Sequence, residues 1–146
     1  MADDPTVERR DLDWGQAAGW FSQHVVDLDP LTPHELDGAD TWAVTDPSGS
    51  IVGMAVVEPN HPAELDDDEQ VAWVHRIGVR FERQEEGFGR LLLERIRDEY
   101  GTLELEIDQR ETANGFYDAL GLDIISERYA VMNDGTEGTM RVWRWE

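Results

Sequence analysis

Apolar residues recur along this chain at two spacings, and the change from one to the other marks out its elements. From Val71 to Val79 the run VAWVHRIGV puts Val71, Trp73, Ile77 and Val79 at period two, as along one face of a strand. Ala72, Val74 and Gly78 make the other face apolar too, so the pattern predicts a central strand covered on both sides. From Phe88 the period lengthens. Phe88, Leu92, Ile96 and Tyr100 come every four residues, with Arg90, Glu94, Arg95, Arg97 and Asp98 outward, which predicts an amphipathic helix. The polar stretch from Gln84 to Gly89 turns the strand into the helix.

The same spacings assign the rest of the chain. Val7 to Arg10 reads as a short first strand, and Asp13 as the cap of a helix carrying Trp14, Ala18, Phe21 and Val25 on one face. That helix must stop before Asp29-Pro30, because proline disfavours helix at the preceding residue. Thr32-Pro33-His34-Glu35 has the form of a capping box opening a second, short helix. Thr41 to Thr45 and Ile51 to Val57 form strands across the hairpin turn Asp46-Pro47-Ser48-Gly49-Ser50, and Asn60 to Gln70 is a polar loop. Leu103, Leu105 and Ile107 alternate with Glu104, Glu106 and Asp108, a strand with one acidic face. A helix with Ala113, Phe116, Tyr117 and Leu120 on its apolar side ends at Gly121. Ile124 to Met132 and Met140 to Trp145 close the chain as a hairpin. The order is β-α-α-β-β-β-α-β-α-β-β, an α/β (α+β) arrangement with one core for residues 1–146.

A strand-to-helix turn with Gly87 and Gly89 at the helix entrance is suited to phosphate. Glycine lets backbone approach a ligand, and the free N–H groups and positive dipole end of the helix point at it. The competing phosphate motifs fail: the third glycine of a dinucleotide fingerprint is Leu92, and a Walker loop needs a lysine that this chain lacks. Gly78 near the end of the strand points to a bulge or a close backbone approach. A plain tight turn into a core helix remains the alternative for a lone G-x-G.

Ile77-Gly78-Val79, four further residues, then Gln84-Glu85-Glu86-Gly87-Phe88-Gly89 resembles the acetyl-CoA signature [RQ]-x-x-G-x-[GA] of the GNAT acetyltransferase superfamily. Ala113 to Leu122, ANGFYDALGL, resembles that family's A-x-x-[FL]-Y-x-x-L-G-F segment. The resemblance implies a mixed, mostly antiparallel sheet of about seven strands with helices on both faces, and acetyl transfer from acetyl-CoA to a primary amine by direct attack. It further implies that the backbone of Ile77, Gly78 and Val79 pairs with the pantetheine arm. Gln84, Glu85, Glu86, Gly87, Phe88, Gly89 and Arg90 would hold the pyrophosphate, with Arg110 and Asn114 also on the cofactor side. Arg110 stands where the family often has Asn, and the carboxylates of Glu85 and Glu86 oppose an anionic ligand. Tyr117 matches the tyrosine that protonates the departing thiolate, against an alternative of core packing. His75 occupies a position that often carries the general base, against that of a hydrogen-bonded strand histidine; Glu104 and Glu106 are substitutes acting through water.

Composition narrows the remaining possibilities. Acidic residues number 33 against 12 basic, a net charge of −21, and every basic residue is arginine. Spread along the chain, that charge suits a cytoplasm of molar salt, where the Debye length is about 3 Å. It would favour a cationic small-molecule or peptide amine acceptor. No basic patch is visible, which argues against nucleic acid, and no apolar run approaches a membrane span. The start MADDP is acidic rather than apolar, so a cytoplasmic protein is expected, with a homodimer open. There is no cysteine, and His24, His34 and His61 lack metal-ligand spacing, so no metal is expected. Asp66 to Glu69 lacks the calcium-loop spacing and reads as a solvated loop. A CoA-binding sensor or partner-binding module without turnover is the alternative function.

Overall fold

A computed structural model of the chain describes residues 4–25, 33–131 and 135–146. Seven strands form one sheet, in the order β1 (Thr6–Arg10), β2 (Asp40–Thr45), β3 (Ile51–Pro62), β4 (Gln70–Val79), β5 (Leu103–Asp108), β7 (Glu137–Trp145), β6 (Asp123–Val131). Every pairing is antiparallel except β4 with β5. The mixed, mostly antiparallel sheet expected from the motifs is therefore present.

Helix α1 (Trp14–His24) packs on one face of the sheet, its Ala17 and Phe21 buried against Met54 and Val56. It opens on the Asp13 cap: Asp13 Oδ1 accepts from Gln16 N–H at 2.8 Å, and Gln16 Oε1 accepts from Asp13 N–H at 3.0 Å. Helices α2 (Phe88–Tyr100) and α3 (Ala113–Leu120) cover the other face. There Leu92, Leu93, Ile96 and Tyr117 close the main core over Trp42, Ala55, Val57, Ala72 and Val74. The four-residue spacing of α2 is borne out, and two of its outward arginines lie over core tryptophans. The Arg97 guanidinium is 3.8 Å from the Trp145 ring centre and that of Arg95 5.0 Å from Trp42.

The single alternation expected along Val71 to Val79 does not hold. Val57 pairs with Val74 and Val56 with Arg76, so His75 is an extra residue, a β-bulge. Beyond it the faces exchange. Ala72, Val74 and Ile77 share the α2–α3 core, and Val79 packs near Phe88, whereas Gly78 lies against α1. A Cβ at Gly78 would stand 2.7 Å from Val25 Cγ2, so this glycine admits the end of α1. Its absence of a side chain is accounted for by packing rather than by a ligand.

Three smaller expectations are also corrected. Asn60, His61 and Pro62 belong to β3, which passes a second register break between Glu58 and His61, with Asn60 at φ 61°. Pro33–Leu36, expected as a second, short helix, is a 3₁₀ helix rather than an α-helix, and Thr32 of its capping box lies outside the described residues. Strand β7 begins at Glu137, earlier than Met140, while Met132, Asn133 and Asp134 of the final turn are not described.

Candidate active site

The bulge has a consequence for the neighbouring strand. Pairing of β4 with β5 stops at Ala72↔Leu103 and Trp73↔Glu104, although β4 continues to Val79 and β5 to Asp108. Two parallel strands that pair at one end only must open into a wedge. Along it the β5-side edge of Ile77, Gly78 and Val79 has no ladder partner among the described residues, and an extended chain laid there could take up that hydrogen-bonding capacity.

At the wide end of the wedge stands the turn into α2. Glu85 (φ 71°) and Gly87 (φ 86°) are both left-handed, a costly conformation for a glutamate and one that gathers at ligand sites. Gly87 is the N-cap of α2, and no side chain caps that end. The first intrahelical bond is Leu91 N–H to Gly87 O at 3.1 Å, so the N–H groups of Phe88, Gly89 and Arg90 are left for an anion. Phe88 is buried and anchors the turn; Gln84, Glu85, Glu86 and Gly87 are exposed. The Gln84 amide reaches back to Val79 O at 3.5 Å.

The two carboxylates that oppose an anionic ligand are not equivalent. Arg83 Nε donates to Glu86 Oε2 at 2.8 Å and its Nη1 to Asp46 Oδ2 at 2.8 Å, with its guanidinium 5.1 Å from the Phe88 ring centre. Hydrogen bonds from Ser48 and then Arg83 hold the Asp46 carboxyl well below the usual range. Arg83 thus ties the turn to the β2–β3 hairpin and neutralises Glu86. The sequence reading missed this latch, since 37 residues separate Asp46 from Arg83.

Tyr117 lies at the α3 side of the core, 4% exposed, its ring 6.1 Å from Trp143 and 5.4 Å from Phe116. Burial pushes its hydroxyl upward in pKa, so the phenol stays protonated at neutral pH. Three other residues expected near the cofactor make contacts within the protein. Asn114 is buried: its amide donates to Asp108 O and Glu111 O and accepts from Trp143 Nε1 at 2.9 Å, which makes it a structural clamp. Arg110 is drawn onto Asp108, Nη2 to Oδ2 at 2.6 Å, and Arg90 onto Glu94 at 2.6 Å.

On the α1 face, the bulge brings His75 Nε2 to 2.9 Å from Glu58 Oε1. His61 stacks on Trp73 at 4.7 Å and meets His75 edge-on at 6.4 Å. Of the two substitute bases, Glu104 is withdrawn by the structure. It is 0% exposed and accepts from Glu64 N–H and from Arg144 Nη1, joining β5 to β7 and the β3–β4 loop. Glu106 is part-buried, paired with Arg128, and its carboxyl is raised in pKa, chiefly by desolvation. No group of three or more metal-ligating side chains occurs among the described residues.

Residues 7–122 match the model of the acetyltransferase (GNAT) family. The chain belongs to that family. Among solved structures, NAA60 of Arabidopsis thaliana in complex with acetyl-CoA superposes with a TM-score of 0.77 at 9% identity, covering 97% of this chain and 98% of that one. A GNAT acetyltransferase from Desulfovibrio desulfuricans gives 0.76 at 16% identity over 98% and 99%. The ribosomal-protein-S18-alanine N-acetyltransferase of Escherichia coli gives 0.70 at 21% identity over 97% and 92%. At these identities the likeness is one of fold. No curated protein sequence matches. The chain is thus an acetyl-CoA-dependent N-acetyltransferase by family, and its wedge and uncapped helix entrance fit the pantetheine and pyrophosphate of that co-substrate.

Proposed function

We propose that this acetyltransferase, one catalytic domain over residues 1–146, works across the wedge between β4 and β5, with co-substrate on the α2–α3 side and amine on the α1 side. The observation that carries the reading is the half-paired β4–β5 ladder beside the uncapped start of α2. Acetyl-CoA supplies the activated acetyl group. The edge of Ile77 to Val79 aligns the pantetheine arm, and the N–H groups of the Gln84–Arg90 turn hold the pyrophosphate. His75 takes the proton released as the amine nitrogen bonds to the acetyl carbon. The carbon–sulfur bond breaks, and Tyr117 gives its phenolic proton to the departing sulfur. Acid and base thus act from opposite faces of the sheet, and solvent restores both.

A peptide α-amine is the acceptor class to try first, since the structures of the same fold include Naa50 of Arabidopsis thaliana with the bisubstrate analogue CoA-Ac-MVNAL. The net charge of −21 suits a cationic amine. The same charge and the lack of lysine suit work in a cytoplasm of molar salt. No described helix is long and apolar enough to cross a membrane. The test is calorimetric binding of acetyl-CoA in molar KCl, followed by thiol release with the peptide MVNAL, a basic peptide, spermidine and glucosamine. Binding with turnover of one of them supports the reading. Binding without turnover of any supports a CoA sensor, and no binding removes the site.

A further inference from the structure

Glu58 and His75 meet across a stretch where the β3–β4 ladder is irregular. Regular pairing joins Glu58 to Trp73, and the β3–β4 register breaks on either side of that pair, at His75 and again beyond Glu58. A bulge re-aims side chains, and here it sets His75 Nε2 at 2.9 Å from Glu58 Oε1, with the two side chains 23% and 33% exposed. A carboxylate has only acceptor oxygens, so the shared hydrogen must sit on Nε2. A neutral imidazole with its proton on Nε2 has its lone pair on Nδ1. His61, edge-on to His75 and stacked on Trp73, limits how the ring can turn.

We propose that Glu58 is the positioning residue for His75: it fixes the Nε2–H tautomer and so makes Nδ1 the nitrogen that receives the proton of the acceptor amine. The assignment rests on the base role proposed for His75, but its structural half can be tested without any acceptor. Nothing in the local sequence pointed to Glu58. It lies 17 residues from His75 and meets it only through the pairing of β3 with β4.

The experiment is long-range ¹H–¹⁵N correlation NMR of the full-length protein at a pH where His75 is neutral, assigned with His75→Gln. In the wild type His75 should show the Nε2–H pattern alone. Glu58→Ala should give a mixture of both tautomers, and Glu58→Gln, which keeps an acceptor oxygen, should recover most of the Nε2–H form. In turnover with whichever of the four amines above is used, Glu58→Ala should lower kcat about 10- to 100-fold, the range seen when the orienting partner of a metal-bound histidine is removed, with little change in either KM. Glu58→Gln should restore part of the rate. A wild-type Nδ1–H pattern, or a spectrum that Glu58→Ala leaves unchanged, overturns the proposal. So does a tautomer shift without loss of kcat. If His75→Gln turns over normally, the base assignment fails instead, and the spectra still report whether Glu58 holds the ring.

Discussion

The two sides of the proposed site are built from different materials. On the co-substrate side the working parts are backbone: the open edge of β4, two left-handed residues and the first N–H groups of α2. On the acceptor side they are side chains brought together across strands, with His75 on Glu58, His61 on Trp73, and Glu106 on Arg128. Pyrophosphate and pantetheine are common to every acetyl-CoA, so a fixed arrangement of amides serves any acceptor. The amine differs from enzyme to enzyme, and side chains can change while the backbone stays put. Tyr117 stands apart from both, a core residue whose hydroxyl alone has chemical work in the proposed mechanism.

The largest expected effect is at that hydroxyl. Tyr117→Phe keeps the ring against Trp143 and Phe116 and removes the acidic proton. General acid catalysis is worth about 10²–10⁴-fold, so kcat should fall within that range while calorimetry finds acetyl-CoA binding nearly unchanged. A rate equal to wild type would make Tyr117 packing only.

Next comes the backbone cradle. Gly89→Asp puts a carboxylate at the helix entrance, and affinity for acetyl-CoA should drop about 10- to 100-fold, the worth of one charge-assisted hydrogen bond of roughly 1.5–3 kcal/mol. A Cβ at Gly89 would stand 3.2 Å from Phe116 Cζ, so some stability is lost as well. Gly89→Ala separates the two effects, because it carries the packing cost without the charge. Equal affinities for the two variants would remove the electrostatic argument.

Much of the co-substrate side was legible in the sequence, and little of the acceptor side was, for a physical reason. A turn into a helix is local: glycines three to five residues past Gln84 and an apolar period starting at Phe88 mark it without reference to the rest of the chain. A bulge is invisible to a period-two pattern. One extra residue at His75 moved Ile77 and Val79 to the opposite face from Val71 and Trp73. The internal hydrogen bonds of Asn114, expected on the cofactor side from the resemblance, were equally hidden from the sequence. Helical spacing locates it beside the apolar stripe, but only the fold brings Trp143 Nε1 to its side chain. Glu104 and Glu106 looked alike on one acidic face. What separates them is Arg144, which closes over Glu104 from a strand 40 residues later.

The Arg83 latch couples the turn to side chains and gives a smaller test. Arg83→Gln releases Glu86 beside the bound anion and should weaken acetyl-CoA by several-fold at low salt. Arg83→Gln with Glu86→Gln should recover affinity, because the uncompensated carboxylate is then gone. Calorimetry in 0.1 M KCl reads both; a double variant no better than the single would mean that Arg83 acts on loop shape alone. The pH dependence has a definite sign. The folded Asp46 carboxyl is held below its unfolded value, so its contribution to stability is complete above about pH 4. It is lost as pH falls toward the folded value.

The smallest effect per group, and the one felt by both sides at once, is that of salt. Many of the arginines pair with carboxylates, among them Arg80 with Glu82, Arg95 with Glu99 and Arg141 with Glu127. Exposed pairs of this kind are worth about 0–1 kcal/mol each, and salt weakens them. Against that loss stands a net charge of −21. Carboxylates outnumber the arginines 33 to 12, and repulsion among them reaches about 8 Å at physiological salt but about 3 Å at 1 M. Repulsion over the whole surface is expected to outweigh these pairs, so the melting temperature should rise as KCl goes from 0.1 to 2 M. Each kcal/mol gained would appear as about 2–4 °C in a chain of this size. The affinity for acetyl-CoA should rise over the same range, since Glu85 is exposed beside the proposed phosphate site, while the tautomer proposed for His75, which a direct hydrogen bond to Glu58 would set, should not change. A melting temperature that falls with KCl would mean that the ion pairs dominate and that the acidic surface is no adaptation to salt.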